Sequence, residues 1–125
     1  MNIQPMDKRP LFLQIADGIE DAILLGAYPE ETQIPSTTET SITYNINPAT
    51  ARKGFGLLMD QGIIYKQRGV GMFVAEGAVE QIRAKRRDQF FDSFVMRLTE
   101  EAKQLGLTLE ETVKLIEMGY QNGKN

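Results

Sequence analysis

Two helix-start signals set close together constrain this chain more than any other feature. Pro35-Ser36-Thr37-Thr38-Glu39 offers Ser36 as an N-cap with Glu39 as its partner, the pattern of a capping box. Asn47-Pro48 offers a second N-cap, followed by the residue best suited to a first helical position, because proline's missing N–H would be unpaired there anyway. A helix begun at Ser36 must therefore end before Asn47, leaving a short body from Glu39 to Tyr44 and a tight connection. That body is rich in Thr and Ser, so propensity alone does not hold it, and packing through Ile42 and Ile34 is expected instead. The helix from Pro48 is expected to run to about Gln61, to bury Ala51, Phe55, Leu58 and Met59, and to close at Gly62. Gly54 and Gly56 count against it by roughly 1 kcal/mol each relative to alanine, although a glycine can also permit a close helix approach.

The flanking segments complete the pattern. Leu11, Phe12, Ile15, Ile19, Ala22 and Ile23 recur at three- and four-residue steps, with Asp17, Glu20 and Asp21 opposite, and Gly26 stops the helix. Ile63–Gln67 and Met72–Ala75 read as two strands around Arg68-Gly69-Val70-Gly71, a β-hairpin. From Val79 to Leu105 the period is again helical; Gly106 breaks it, and the Thr108/Glu111 capping box opens a last helix using Leu109, Val113, Ile116 and Tyr120. Helix, helix, short turn, helix and hairpin make a winged helix-turn-helix. The expected fold class is α+β, mainly α. A winged helix-turn-helix over residues 1–76 is followed by a short two-helix dimerisation segment over residues 77–125.

The chain has 125 residues with neither cysteine nor histidine, which removes Ser-His-Asp and Cys-His catalysis, disulfides and nearly every structural zinc site. An enzyme is not expected, and no metal or cofactor is implied. No apolar run approaches the roughly 20 residues needed to span a bilayer, and MNIQPMDKRP lacks the apolar core of a secretory signal, so a cytoplasmic location is expected. The net charge of −3 looks adverse to a nucleic-acid partner, but its distribution is not. Residues 1–43 hold Lys8 and Arg9 against seven acids, whereas residues 44–74 hold Arg52, Lys53, Lys66 and Arg68 against Asp60 alone. Phosphate binding follows where the cations sit.

In a winged helix-turn-helix the third helix enters the major groove with its N-terminal residues nearest the bases. Here those are Asn47, Ala49, Thr50, Arg52 and Lys53. Thr50 can donate to a phosphate or touch a thymine methyl, and Arg52 can fork onto guanine O6 and N7. At the hairpin tip, Arg68, flanking Gly69 and Gly71, can lie against a backbone or enter a minor groove, where the glycines allow close approach. Each residue also has a plainer reading. Arg52 and Lys53 can be the solvated face of an amphipathic helix, Thr50 a first-turn residue without a partner, and the two glycines only a turn. The joint arrangement favours DNA.

Five motifs in order carry a family resemblance: Leu11-Phe12-Leu13-Gln14-Ile15, Ile34-Pro35-Ser36, Asn47-Pro48-Ala49-Thr50-Ala51-Arg52, Gly62-Ile63-Ile64-Tyr65, and Arg68-Gly69-Val70-Gly71-Met72-Phe73-Val74. Residues 11–75 resemble the GntR family of bacterial regulators. The short stretch after the wing resembles the YtrA-like subfamily, whose tail is a pair of dimerising helices and whose members often control ABC transporter operons. The resemblance implies DNA contacts from Ser36, Thr50, Arg52 and the Arg68–Gly71 tip. It departs at Thr38, where much of the family has an arginine, so a contact usually carried at that position is in doubt.

Residues 79–120 are too few for an independent core, and Phe90, Phe91, Phe94, Val95 and Leu98 would leave an exposed apolar strip on a lone helix. Pairing with a second copy solves this and suits a palindromic operator; folding back onto the winged domain is the alternative. Arg83, Lys85, Arg86 and Arg87 form a basic run at the start of this helix, within reach of phosphates or simply solvated. A small-molecule effector between the tail helices is compatible with the sequence, but no cluster of charged or aromatic residues marks a pocket. The expected partners are double-stranded operator DNA and a second copy of the chain, without a membrane, and repression is the mode the family implies. Two other classes compete. A winged helix used for protein–protein interaction would suit the acidic first 43 residues. An enzyme would need a nucleophile–base pair or a phosphate-cradling loop, and Gly69-Val70-Gly71 is only a fragment of one.

Overall fold

The computed structural model describes residues 8–123, so the Met1–Asp7 part of the leading stretch, in which no signal was read, lies outside it. Asn47 accepts from the Ala49 amide at 2.9 Å with Pro48 in the first turn, and helix α3 follows over Pro48–Asp60. Ser36 accepts from the Glu39 amide at 3.0 Å, while the Glu39 carboxylate accepts from the Ser36 amide at 3.0 Å. This complete capping box opens α2, Thr37–Thr43. Both start signals work as the sequence predicts. Helix α1 spans Leu11–Leu24.

The turn between α2 and α3 rests on Asn45, which takes φ +52. The Asn45 amide donates to the Ile42 carbonyl at 3.3 Å and the Ile46 amide to the Ser41 carbonyl at 3.0 Å, the paired bonds of a Schellman motif. Asparagine tolerates this left-handed geometry because its short polar side chain bonds locally. Gly26, Gly62 and Gly106 close α1, α3 and a tail helix with the same pair of bonds.

The expected hairpin forms from β2, Ile64–Gln67, and β3, Gly71–Val74, paired antiparallel. A further two-residue strand, β1 over Gln33–Ile34, adds to β3 and makes a three-stranded sheet in the order β1-β3-β2. Two residues are too short to show a period, which is why the sequence did not reveal this strand. Phe55, Ile15, Ile23, Leu58, Ile63, Ile64, Val74 and Ile82 fill the core, each contributing about 1.5–3 kcal/mol by leaving water.

Three expectations about facing are corrected. Ile42 is 75% exposed, and Thr40 and Ser41 are buried instead. The capping box fixes the phase of α2, and Ile42 lies about 200° around the helix from Thr40. Met59 is 39% exposed, one position past the inward row of Ala51, Gly54, Phe55 and Leu58. Glu20, placed by periodicity on the polar face, is buried, because α1 is covered around most of its circumference and also encloses Gln14.

The chain divides into two compact units, residues 1–84 and 85–125. The first ends at Ala84 rather than at residue 76 because Ala78 and Ile82, on α4 (Ala78–Phe90), are buried in its core. Glu30 secures this junction. Its carboxylate accepts from the Gly77 amide at 2.9 Å and the Val79 amide at 3.0 Å, capping the start of α4. In the second unit a π-helical segment, Phe91–Val95, precedes α5, Met96–Gln104. Its wider turn shifts the side-chain phase, which plain helical counting does not foresee. Helix α6, Leu109–Asn122, starts at the expected Thr108/Glu111 capping box.

Candidate nucleic-acid interface

The start of α3 is built for presentation. Asn47 and Pro48 fix its entry, and its inward row is Ala51, Gly54, Phe55 and Leu58. Ala49, Arg52 and Lys53 are thereby turned to solvent, while Thr50 is half-buried beside them. Gly54 explains the depth of the seat. A Cβ there would lie 2.9 Å from the Phe12 carbonyl and 3.1 Å from Ile15 Cγ2, so glycine lets α3 press against α1. Gly56, by contrast, faces open space.

The individual candidates differ in what holds them. Arg52 is exposed and makes no ion pair among the described residues. Lys53 Nζ instead sits 4.1 Å from the centre of the Phe12 ring, a cation–π contact that draws it toward α1. The Asn47 side-chain oxygen is spent on the cap, and its NH₂ group is the donor that remains on this exposed residue. Ser36 likewise accepts at its hydroxyl, from the Glu39 amide. Thr38 is exposed on the first turn of α2, and its carbonyl accepts from the Ser41 hydroxyl at 2.8 Å. Glu39 is the acidic residue of that turn. The Ser36 amide, and then its hydroxyl, hold the Glu39 carboxyl below its ordinary value, so it stays charged at neutral pH.

The wing turn is closed by the Val70 amide donating to the Gln67 carbonyl at 2.9 Å. Gly69 occupies its third position at φ +75, the positive φ a type II turn requires there. Arg68 and Gly69 are exposed, Gly71 is half-buried, and Arg68 makes no ion pair among the described residues. Tyr65 and Phe73 stack across the hairpin with ring centres 5.7 Å apart, stiffening its base. From residue 44 to the end of β3 the only acid is Asp60, in the last turn of α3. Two exposed arginines on successive elements, with one acid between them, are chemically suited to phosphates and base edges.

No protein-family model matches the chain. The HTH-type transcriptional regulator YhcF of Bacillus subtilis is 30% identical over 98% of this chain and 100% of its own length. A GntR-family transcriptional regulator from Bacteroides thetaiotaomicron has a similar solved structure. It is 38% identical, with a TM-score of 0.70, over 88% of this chain and 96% of that one. The chain belongs to the GntR family of helix-turn-helix transcriptional regulators. This GntR-family chain is YtrA-like: the transcriptional repressor YtrA of Bacillus subtilis is 26% identical over 99% of this chain and 97% of its own length. The DNA-binding domain of AraR, solved in complex with operator ORX1, is 28% identical at a TM-score of 0.53 over 60% of this chain and 93% of that domain. These relatives are regulators, not enzymes.

Two residues of this region were not singled out from sequence. Asn45 had a readable signal, since asparagine just past a short helix is a known stop. Gln33 had none. Its role is visible only once β1 is placed beside the wing.

In the second unit, Phe90, Phe91, Phe94 and Leu98 are exposed on the chain and Val95 is half-buried. The Phe90 and Phe94 rings lie 5.4 Å apart. Ala102 and Thr112 are buried within this unit. Among the described residues, no helix is long and apolar enough to cross a membrane.

Proposed function

We propose that this GntR-family chain is a cytoplasmic repressor that binds double-stranded DNA as a homodimer on a palindromic operator. The observation that carries the reading is the pair of exposed arginines without an ion pair among the described residues, Arg52 on the first turns of α3 and Arg68 at the wing tip. In the major groove, Arg52 donates in bidentate fashion to a guanine, with Thr50 and Asn47 contacting the adjacent backbone or base edge. Ala49 gives a small apolar contact, Ser36 and Thr38 donate hydroxyl protons to phosphate, and Lys53 adds charge from the Phe12 side of the helix. The wing places Arg68 against a narrow minor groove, where Gly69 and Gly71 let the backbone come close.

Dimerisation is supported by the apolar surface of residues 85–125. Phe90, Phe91, Phe94 and Leu98 are exposed and Val95 half-buried, the kind of apolar surface that marks an interface. A two-fold dimer then presents two recognition helices to two half-sites. The AraR domain on its operator and the repressor YtrA support DNA as the ligand and repression as the mode. An ABC transporter operon is the regulated unit that the YtrA-like resemblance implies. Footprinting on DNA from upstream of the gene tests this directly. Two protected half-sites about one helical turn apart, related by inverted sequence, are expected; a single unpaired protected site would exclude the symmetric dimer.

A further inference from the structure

We propose that Gln33 is a positioning residue that ties the DNA-contacting wing to the helix-turn-helix; the inference rests on the DNA-binding reading above. Gln33 lies on β1, with Pro35 and the Ser36 cap of α2 directly after it. Its neighbour Ile34 is 4% exposed in the core, so the backbone that carries Gln33 is anchored. From there Gln33 Nε2 donates to the Val70 carbonyl at 3.0 Å, across 37 positions of sequence. Val70 is therefore held twice, by its amide to the Gln67 carbonyl and by its carbonyl to Gln33.

Gly71 shows how closely the tether fits. It adopts φ +148, and a Cβ there would collide with Gln33 Nε2 and lie 3.3 Å from Gln33 Cδ. The side-chain amide thus rests flush against the wing backbone, on a surface only glycine provides. The rest of the tip has little to fix it. Gly69 faces open space, and Arg68, Gly69 and Val70 are exposed. A turn with two glycines at positive φ has access to many conformations unless something outside it selects one. Gln33 selects one, and so sets where Arg68 stands relative to Ser36 and the start of α3. Pre-positioned contacts bind more tightly because less ordering remains to be done on association.

The test is Gln33→Met, which keeps the side-chain length and removes the donor. One readout is ¹⁵N relaxation of the Arg68–Gly71 amides in the DNA-free protein; these should become mobile in the variant while thermal stability is retained. The other is operator affinity, expected to fall about threefold to tenfold, the worth of one net hydrogen bond. Because Gln33 acts through the wing, the loss should vanish in an Arg68→Ala background. Unchanged wing relaxation, or a Gln33→Met loss fully additive with Arg68→Ala, would overturn the proposal. If the wild-type chain bound no operator, the DNA reading would fall, and wing relaxation would still decide whether Gln33 is the tether.

Discussion

Gly54 and Gly56 stand on the same helix and answer to different constraints. Gly54→Ala drives a methyl to within 2.9 Å of the Phe12 carbonyl, which is backbone and cannot swing away. Overpacking of that kind should outweigh the gain in helix propensity and destabilise the fold by about 1–3 kcal/mol. Gly56→Ala meets nothing within 4 Å and should stabilise by about 0.5–1 kcal/mol. Urea denaturation of the two variants gives opposite signs if α3 seats on α1 as described, and equal signs if it does not. The same helix carries the functional prediction at this scale. Arg52→Ala should cost roughly 1–3 kcal/mol of operator affinity and relax discrimination at one base pair. A variant that still separates operator from scrambled DNA as well as the wild type would remove Arg52 from base reading.

At the scale of elements, the local signals were legible and the joins were not. Capping boxes at Ser36 and Thr108 and the Asn47-Pro48 start lie in a few adjacent residues, so their physics is complete within the sequence. The facing of α2 was not, because a helix of 7 residues has too few apolar positions to show its period, and Ile42 turns outward. Strand β1 and the Gln33 contact depend on pairings made across the chain, which no local window contains. Of the interface, the basic positions on α3 and the wing were legible because a helix start and a hairpin tip are both exposed by construction. That Lys53 leans onto Phe12 was not.

Glu30 is a further join between distant parts of the sequence, and it yields a pH prediction. The Gly77 amide, and then the Val79 amide, hold the Glu30 carboxyl below its ordinary value. A carboxylate whose folded value is depressed stabilises fully above its unfolded value and loses that contribution as pH falls through the folded one. Stability should therefore decline below about pH 5, in the carboxylate range, and Glu30→Gln should flatten part of that acid limb. Superimposable acid limbs for the two proteins, followed by thermal denaturation, would show that this cap does not couple to folding.

At the scale of the whole molecule, the proposed function depends on bringing two winged units to one DNA site. Phe94→Glu places a charge in the apolar strip of the second unit and should convert a dimer to a monomer in sedimentation, weakening operator binding by more than tenfold while leaving the winged unit folded. A variant that stays dimeric would move the interface elsewhere.

The most direct test of DNA binding itself is a salt titration of the purified chain on DNA from upstream of its own gene, beside a scrambled competitor. Lys53 on the recognition helix and Arg68 on the wing, in each of two subunits, should release counterions and give a slope of log K against log salt of about −4, with the operator preferred throughout. Binding that is independent of salt, or equal for operator and competitor, would contradict a sequence-specific DNA-binding regulator.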